Sequence, residues 1–249
     1  LAGGGDGQCA GTGANTFLGT VQLNRGSLAV TSNASLGDAA NALVVNANAN
    51  SQLRFDAPMT FARSSTFVTA TLLNTAGNDV DFSGPILGAG GLTKVGNGTL
   101  TLSAVNNLGT NAYTVRQGTL RLTGDLPQAN AVTLGGTSAF EVALAAGTAE
   151  ALGALSFAGG DGVVRSTQVG AAQTVTFASL AAKSVGATGN FVLSGGDAAT
   201  NRIVLTGTTA NSFLGAGYFF GGSDYAFVDA AGQVRAYAAT DAGYLAATG

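Results

Sequence analysis

Short segments in which apolar and polar residues alternate recur along the whole chain. An alternation with a period of two residues, bounded by Gly, Asn or Asp, is typical of β-strands with one buried face. The clearest segments are residues 28–30, 43–45, 53–55, 80–82, 100–102, 120–122, 132–134, 140–142, 175–177 and 203–205. The chain also has 39 Gly residues, and each would cost about 1 kcal/mol relative to Ala inside a helix. The pattern therefore predicts an all-β fold.

Several of these segments are copies of one motif. Residues 26–30, 98–102 and 118–122 share the order Gly, Ser or Thr, Leu, any residue, then Val or Leu. The last two copies start about twenty residues apart, which is close to one turn of a β-solenoid. A single turn cannot bury its own apolar face, so the turns must stack to be stable. At about 20–25 residues per turn, we expect a parallel β-helix of roughly ten rungs.

The end of the chain is rich in aromatic residues. Of the 13 Phe and 5 Tyr residues, the last eight are Phe213, Tyr218, Phe219, Phe220, Tyr225, Phe227, Tyr237 and Tyr244. We predict a parallel β-helix over residues 1–210 and an aromatic-rich cap or inter-module junction over residues 211–249. The end of a β-helix exposes unpaired strand edges, which must be covered or paired. A protein-contact patch is the alternative, because aromatic residues are enriched at interfaces.

The charge content narrows the classes of partner. Only 9% of the residues are charged, and a surface made of uncharged polar residues favours association with copies of itself. Lys and Arg occur singly and the net charge is −3, so we expect no nucleic-acid binding. No apolar run is long enough for a transmembrane helix. The single cysteine, Cys9, excludes a disulfide within the chain. A cross-link between chains, in an oxidising compartment, is the alternative to a plain free thiol.

Residues 90–103 and 113–122 extend the repeated motif. The first segment reads Gly-Gly-Leu-Thr-Lys-Val-Gly-Asn-Gly-Thr-Leu-Thr-Leu-Ser, and the second reads Tyr-Thr-Val-Arg-Gln-Gly-Thr-Leu-Arg-Leu. Together they resemble the autotransporter-associated β-strand repeat, and residues 15–30 resemble a degenerate second copy. This resemblance implies a right-handed parallel β-helix that is exported to the bacterial surface and usually has no enzymatic activity. It also implies an extracellular or outer-membrane-associated location.

The resemblance raises a question about export. A translocating β-barrel would need a long run of amphipathic strands at the C-terminus, and residues 245–249 are not of that kind. We therefore expect either an excerpt from a longer protein or a different export route. Residues 222–235 are similar to linker-like segments in giant repeat proteins of this type.

Candidate chemistry is limited by the absence of histidine. This absence excludes Ser-His-Asp and Cys-His arrangements and histidine metal sites. The best carboxylate pair is Asp79 and Asp81, which an i, i+2 spacing places on one side of a strand. We expect both to face solvent, with an inter-rung pair such as Asp56 near Asp79 left open. A glycosidase dyad needs a defined separation and one raised pKa, and the sequence indicates neither.

Glycine-rich clusters at residues 3–7, 159–162 and 195–197 contain parts of a calcium-binding nonapeptide. None matches that motif fully and none repeats in tandem, as a calcium-binding solenoid requires. We interpret these clusters as turns. The sequence therefore predicts no catalytic residues, no cofactor and no metal site.

Our leading functional hypothesis is a structural or adhesive surface module that stacks end to end. Head-to-tail contacts do not close on themselves, so they would produce fibres. An adhesin that binds a host or glycan ligand is the first alternative, and a polysaccharide-cleaving β-helix enzyme is the second. The expected contact residues for neighbouring modules are Phe213, Tyr218, Phe219, Phe220, Tyr225 and Phe227.

Overall fold

The structure is a computed structural model. It describes residues 15–46, 51–104, 112–124, 129–146 and 149–241, together with the backbone of residues 7–9. The chain divides into two compact units, Leu1–Ala131 and Val132–Gly249, which we describe separately. The boundary that we placed between residues 210 and 211 stays a prediction.

The first unit contains short strands and one 3-10 helix, Asn33–Leu36. Its strands in the described chain are β1 (Gly7–Cys9), β2 (Val21–Leu23), β3 (Ser27–Val30), β4 (Leu43–Val45), β5 (Gln52–Phe55), β6 (Met59–Phe61), β7 (Ser65–Phe67), β8 (Thr71–Asn74), β9 (Val80–Phe82), β10 (Ile86–Leu87), β11 (Leu92–Val95), β12 (Thr99–Leu102), β13 (Tyr113–Val115) and β14 (Gly118–Leu122). The strand segments that we predicted within this unit each lie within one of these strands.

These strands stack into three parallel sheets. The orders are β1-β3-β5-β8-β11-β13, then β2-β4-β7-β10, and finally β6-β9-β12-β14. Successive turns of the chain add parallel strands to these sheets, and the second sheet receives its last described strand at β10. Backbone groups therefore pair with the neighbouring turns. The parallel β-solenoid and its repeat character are therefore confirmed. Its handedness and the number of rungs stay predictions.

Inward side chains line up in columns because the strands pair in register. Val80 of β9, Leu100 of β12 and Leu120 of β14 occupy one such column, and all three are buried. At another point in the core, the buried rings of Phe55, Phe61 and Phe82 pack with centroid distances of 4.8–5.7 Å. Edge-to-face and tilted contacts of this kind add to the stability gained from burial.

The second unit has longer strands and ends differently. Its strands in the described chain are β15 (Val132–Leu134), β16 (Thr137–Val142), β17 (Ala149–Phe157), β18 (Asp161–Thr167), β19 (Gln173–Leu180), β20 (Thr188–Ser194), β21 (Asn201–Leu205), β22 (Ser212–Phe213), β23 (Tyr218–Phe220), β24 (Asp224–Val228) and β25 (Val234–Ala236). Parallel sheets form in the orders β15-β17-β19-β21 and β16-β18-β20-β23.

The parallel pairing gives way to antiparallel pairing at β24. This strand pairs antiparallel with β22, β23 and β25, and β23 in turn pairs parallel with β20. On the other sheet, Val204 of β21 forms an antiparallel bridge with Gln233. The Leu205 amide also donates to the Gly232 carbonyl oxygen at 2.9 Å. The antiparallel segment thus pairs with the last described strand of each parallel sheet.

A buried polar network joins neighbouring turns of the second unit. Gln173 Nε2 donates to Ser166 Oγ at 2.7 Å, and Ser166 Oγ donates to Asn201 Oδ1 at 2.6 Å. Asn201 Nδ2 donates to the Ser194 carbonyl at 2.9 Å, and the Leu144 amide donates to Gln173 Oε1 at 2.8 Å. A buried network whose members have partners specifies one register of the stack.

Gly90 lies close against the backbone of the preceding turn in the first unit. A Cβ at Gly90 would lie 2.0 Å from the Thr69 carbonyl oxygen and 2.8 Å from the Phe67 carbonyl oxygen. Because these atoms are backbone, they cannot move aside cheaply. We expect Gly90→Ala to lower the free energy of unfolding by about 2–3 kcal/mol, measured by urea denaturation.

The matched control is Gly135→Ala, in the second unit, where a Cβ would meet no atom within 4 Å. We expect this variant to stay within about 0.5 kcal/mol of the wild type. Equal losses in the two variants would show that close packing of the turns is not the cause.

Candidate functional site

Asp79 and Asp81, the aspartates that we considered for catalysis, are hydrogen-bonded to the neighbouring turn. Asp79 is exposed and Asp81 is half-buried, while the intervening Val80 is buried. The Thr99 amide donates to Asp79 Oδ1 at 2.7 Å, and Ser103 Oγ donates to Asp81 Oδ1 at 2.6 Å. Both carboxylates therefore accept hydrogen bonds that link one turn to the next.

Asp56 forms a separate ion pair within its own turn. Arg54 Nε donates to Asp56 Oδ1 at 2.6 Å, and Arg54 Nη2 donates to Asp56 Oδ2 at 3.0 Å. This two-pronged contact occupies both carboxylate oxygens. The sequence left open an inter-rung pair of Asp56 with Asp79, but in the described residues Asp56 pairs with Arg54 and Asp79 accepts from Thr99.

Where the structure describes the glycine-rich clusters, their glycines lie at bends next to strands: Gly159 and Gly160 come directly before β18, and Gly195 and Gly196 come directly after β20. Asp161 accepts a hydrogen bond from Thr188 Oγ1 at 2.6 Å. Asp197 accepts from Thr200 Oγ1 and from the Ala199 amide. The Thr200 hydroxyl, followed by the backbone amides, holds the pKa of Asp197 below its ordinary value. Within the described chain, no three Cys, Asp or Glu residues lie close enough together to hold a metal ion.

Some predicted features lie outside the described residues. The first glycine-rich cluster, residues 3–7, is outside except for the backbone of Gly7. The Cys9 backbone belongs to β1 and pairs with Val30, but its side chain is outside the described part. Tyr244 is outside as well.

The aromatic residues near the end of the described chain form a continuous series of ring contacts. We call this series the aromatic platform, and its members are Phe213, Phe219, Tyr225, Phe227 and Tyr237. The Phe219 ring stacks on Tyr225 at 5.7 Å, and Tyr225 meets Phe213 edge-on at 5.5 Å. Phe213 stacks on Tyr237 at 5.3 Å, and Tyr237 stacks on Phe227 at 5.5 Å. Such contacts are favourable beyond the area that they bury.

The strand pattern of β24 explains why the platform exists. Successive side chains of a strand point to opposite sides. Ala226 and Val228 are fully buried on one side, which places Tyr225 and Phe227 on the other. Paired strands then bring the rest of the platform alongside them. The sequence predicted an aromatic-rich segment, but only the strand pairing shows which rings share a face.

One part of the platform is covered and another part is open. The Arg235 guanidinium lies over the Phe227 ring at 4.6 Å, and the Asp241 carboxylate holds it at 2.5 and 2.7 Å. The hydrogen bond from Arg235 lowers the pKa of Asp241. By contrast, Phe213 is 40% exposed and Tyr225 is 49% exposed. Exposed aromatic surface of this kind marks candidate interaction sites.

The other two predicted contact residues do not belong to the platform. Tyr218 is buried, and its ring packs edge-on against Phe157 at 5.8 Å. Burial raises the pKa of the Tyr218 hydroxyl, and a hydrogen bond with the Lys183 backbone opposes this effect. Phe220 is half-buried and pairs with Asp224 across the β23–β24 ladder.

A groove of about 630 Å³ lies beside the open part of the platform. We call it the Lys183 groove. Its walls come from the ends of β19 and β21 and from the chain that leads into β23. The lining residues are Leu180, Ala181, Ala182, Lys183, Gly207, Thr208, Thr209, Ser212, Phe213, Leu214, Gly215, Ala216 and Tyr218. No acidic residue is among them.

The position of Lys183 depends on its neighbours. Its Nζ lies 6.0 Å from the centre of the Tyr218 ring. A Cβ at Gly217 would lie only 3.1 Å from Lys183 Cε and 3.2 Å from Nζ, so the lack of a side chain at Gly217 makes room for the lysine. Our sequence reasoning did not single out Lys183, because a lone lysine in an Ala-rich loop carries no recognisable motif.

Two other cationic side chains are buried and donate hydrogen bonds within the first unit. Arg63 is 2% exposed and Lys94 is fully buried. Arg63 donates to carbonyl oxygens near the 3-10 helix, and Lys94 donates to carbonyl oxygens at a turn. Buried charges need such partners, because an unpaired buried charge is very costly.

In the part of the chain that the structure describes, no helix has the length and apolar character needed to cross a membrane. The resemblance to the autotransporter-associated β-strand repeat stays a prediction that rests on the residues quoted for it. Comparison of the chain with protein-family models, with curated proteins and with solved structures gave no match.

Proposed function

We propose that the protein is an extracellular structural and adhesive module of a bacterial cell surface, without enzymatic activity. In this proposal the solenoid is a stiff right-handed β-helical rod of roughly ten rungs that stacks end to end into fibres. The location and the handedness follow the resemblance to autotransporter passengers. Stacked parallel strands in both units support the rod.

The observation that carries the proposal is the half-exposed aromatic platform beside the last parallel strands. The rings of Phe213 and Tyr225 are large, apolar and open to solvent. Aromatic residues are enriched at protein interfaces. A contact between this platform and a different surface of a second copy would be head-to-tail, and it would propagate into a filament. Only 9% of the residues are charged, and this low fraction weakens the electrostatic repulsion that would oppose contacts between copies.

An adhesive role is the second candidate, and the Lys183 groove favours it. The groove combines an aromatic wall, hydroxyl groups and one cation, which suits a polar ligand. A polysaccharide-cleaving enzyme has less support. Asp79 and Asp81 each accept a hydrogen bond from the neighbouring turn, and Asp56 is paired with Arg54.

Self-association tests the leading proposal. We expect wild-type protein to form larger species as its concentration rises, in sedimentation velocity and in negative-stain electron microscopy. We expect Tyr225→Ser to weaken this association by about tenfold or more, because the substitution removes a central exposed ring.

Val185→Ser is the matched control. It also removes a fully exposed apolar side chain in the second unit, but one that takes no part in the ring contacts of the platform, and we expect wild-type association. Discrete particles of wild-type protein at every concentration would contradict the fibre proposal. Equal association of Tyr225→Ser and wild type would move the interface away from the platform.

A further inference from the structure

We infer that the Lys183 groove binds an acidic oligosaccharide, with a sugar carboxylate at the Lys183 ammonium and a pyranose ring against Phe213. This inference rests on the adhesive role proposed above and names its ligand class and its site. The argument uses the charge of the groove, the character of its walls and its size.

The charge of the groove selects an anion. Lys183 is the only ionisable cation in the lining, and the lining contains no Asp or Glu. Among the residues that the structure describes, no acidic side chain pairs with Lys183. This local positive charge occurs on a chain of net charge −3. A carboxylate that enters the groove would complete an ion pair in partly desolvated surroundings, where such pairs are stronger than in water.

The walls select a sugar. Phe213 is 40% exposed as a residue, and the stack with Tyr237 at 5.3 Å fixes the plane of its ring. The apolar face of a pyranose can pack on such a ring. Thr208 and Thr209 also line the groove, and their hydroxyl groups can exchange hydrogen bonds with sugar hydroxyls.

The kind of cation and the volume of the groove narrow the class of ligand further. A single ammonium is a point charge, whereas phosphate sites gather several donors from Arg or from helix N-termini, and this lining has neither. A carboxylate on an otherwise neutral sugar suits a single cation better. The volume of about 630 Å³ lies within the range of ligand sites, which is about 300–1,000 Å³.

The test is calorimetric titration of the full chain with tetramers of galacturonic acid, of mannuronic acid and of hyaluronan. The fully methyl-esterified form of each tetramer is its matched neutral probe. We expect at least one acidic tetramer to bind, and we expect its neutral form to bind about tenfold more weakly or not at all. Lys183→Gln should weaken acidic binding by about tenfold or more, and Lys183→Arg should restore it.

Arg202→Gln is the control for charge. It removes an exposed cation of β21 that does not line the groove, and it should bind as the wild type does. Three outcomes overturn the inference: no acidic tetramer binds, Lys183→Gln binds as tightly as wild type, or the methyl ester binds equally well. Sedimentation of the same samples without sugar measures end-to-end association separately. A failure of the fibre proposal can therefore be distinguished from a failure of the sugar-binding inference. If Lys183→Gln changes only self-association, the groove belongs to a contact between copies and the sugar inference is wrong.

Discussion

Arg63→Met is expected to lower the free energy of unfolding of the first unit by about 5 kcal/mol or more. The Arg63 side chain is 2% exposed. Its Nη2 donates to the carbonyl oxygens of Asn33 at 2.7 Å and Gly37 at 2.6 Å, and its Nη1 donates to that of Asn41 at 3.1 Å and to that of Asp38. Met would leave the carbonyl oxygens of Asn33, Gly37 and Asn41 without a donor, whereas that of Asp38 keeps the Asn41 amide at 3.0 Å. Each buried acceptor left without a donor costs about 1–3 kcal/mol.

The guanidinium suits this position because it offers five N–H donors in a plane and no acceptor. The 3-10 helix Asn33–Leu36 and the loop after it turn several carbonyl groups toward one point, and Arg63 supplies the donors for them. Burial lowers the pKa of Arg63, and the Asp38 charge opposes this effect. Arginine keeps its charge in such surroundings, since its ordinary pKa is far above neutral pH.

Arg54→Met is the matched control. Arg54 makes a bidentate pair with Asp56, but the two side chains are 40% and 22% exposed. Exposed ion pairs of this kind contribute about 0–1 kcal/mol, so we expect a loss of that order. Both variants are compared with wild type by guanidinium chloride denaturation. A loss at Arg63 no larger than the loss at Arg54 would show that the buried carbonyl contacts do not stabilise the fold.

The stability of the first unit is expected to rise with pH, and Lys94 is the reason. Lys94 occupies an inward position of β11, in register with Leu73 of β8 and Val115 of β13. An aliphatic column therefore surrounds its side chain, which is fully buried. Its Nζ bends toward the turn and donates to the carbonyl oxygens of Gly96 at 2.6 Å and Gln117 at 3.1 Å.

Burial lowers the pKa of Lys94 from 10.5 to about 8, with a smaller opposing effect of the Asp79 charge. The unfolded chain then binds a proton more tightly than the folded chain does. The cost of the buried charge is fully present below about pH 8, and it is relieved as pH rises toward about 10.5. We expect the free energy of unfolding to increase by about 2.5 kcal/mol between about pH 7 and about pH 10 from this group alone.

The measurement is the difference in pH dependence between wild type and Lys94→Met, taken from urea denaturation at several pH values. The difference cancels other groups, such as Tyr218, whose raised pKa lowers stability at higher pH. Leu73→Met is the matched control, because it alters the same column without removing a charge, and it should keep the wild-type slope. An identical slope in Lys94→Met and wild type would refute the assignment to Lys94.

The sequence by itself determined the strands and their inward faces. A period of two residues places alternate side chains on one side of a strand, and the predicted segments at 80–82, 100–102 and 120–122 lie in β9, β12 and β14. The spacing of about twenty residues also fixed the register, since Thr99 pairs with Thr119 and Leu100 pairs with Leu120. These features are local or strictly repeated, so they can be read from the order of residues alone.

The same motif did not determine which sheet a strand joins. Residues 26–30 match the motif, yet β3 lies in the sheet of β5 and β8, whereas β12 and β14 lie in another sheet. The inward position of Lys94 also contradicts what its charge alone would indicate. Turn lengths between strands decide which copies stack, and short motifs do not encode them.

Only the tertiary structure decided which hydrogen-bond partners the long side chains of Arg63 and Lys94 reach. Arg63 reaches carbonyl groups that lie 22 to 30 residues earlier in the chain, and Lys94 reaches one that lies 23 residues later. The aromatic platform and the Lys183 groove likewise depend on how β22, β23 and β24 pair. Period-two patterning tells which face of a strand is buried, but it carries no information about which distant groups meet there. The fold class was therefore readable from the sequence, while the candidate site emerged only from the packing of turns that are remote in the chain.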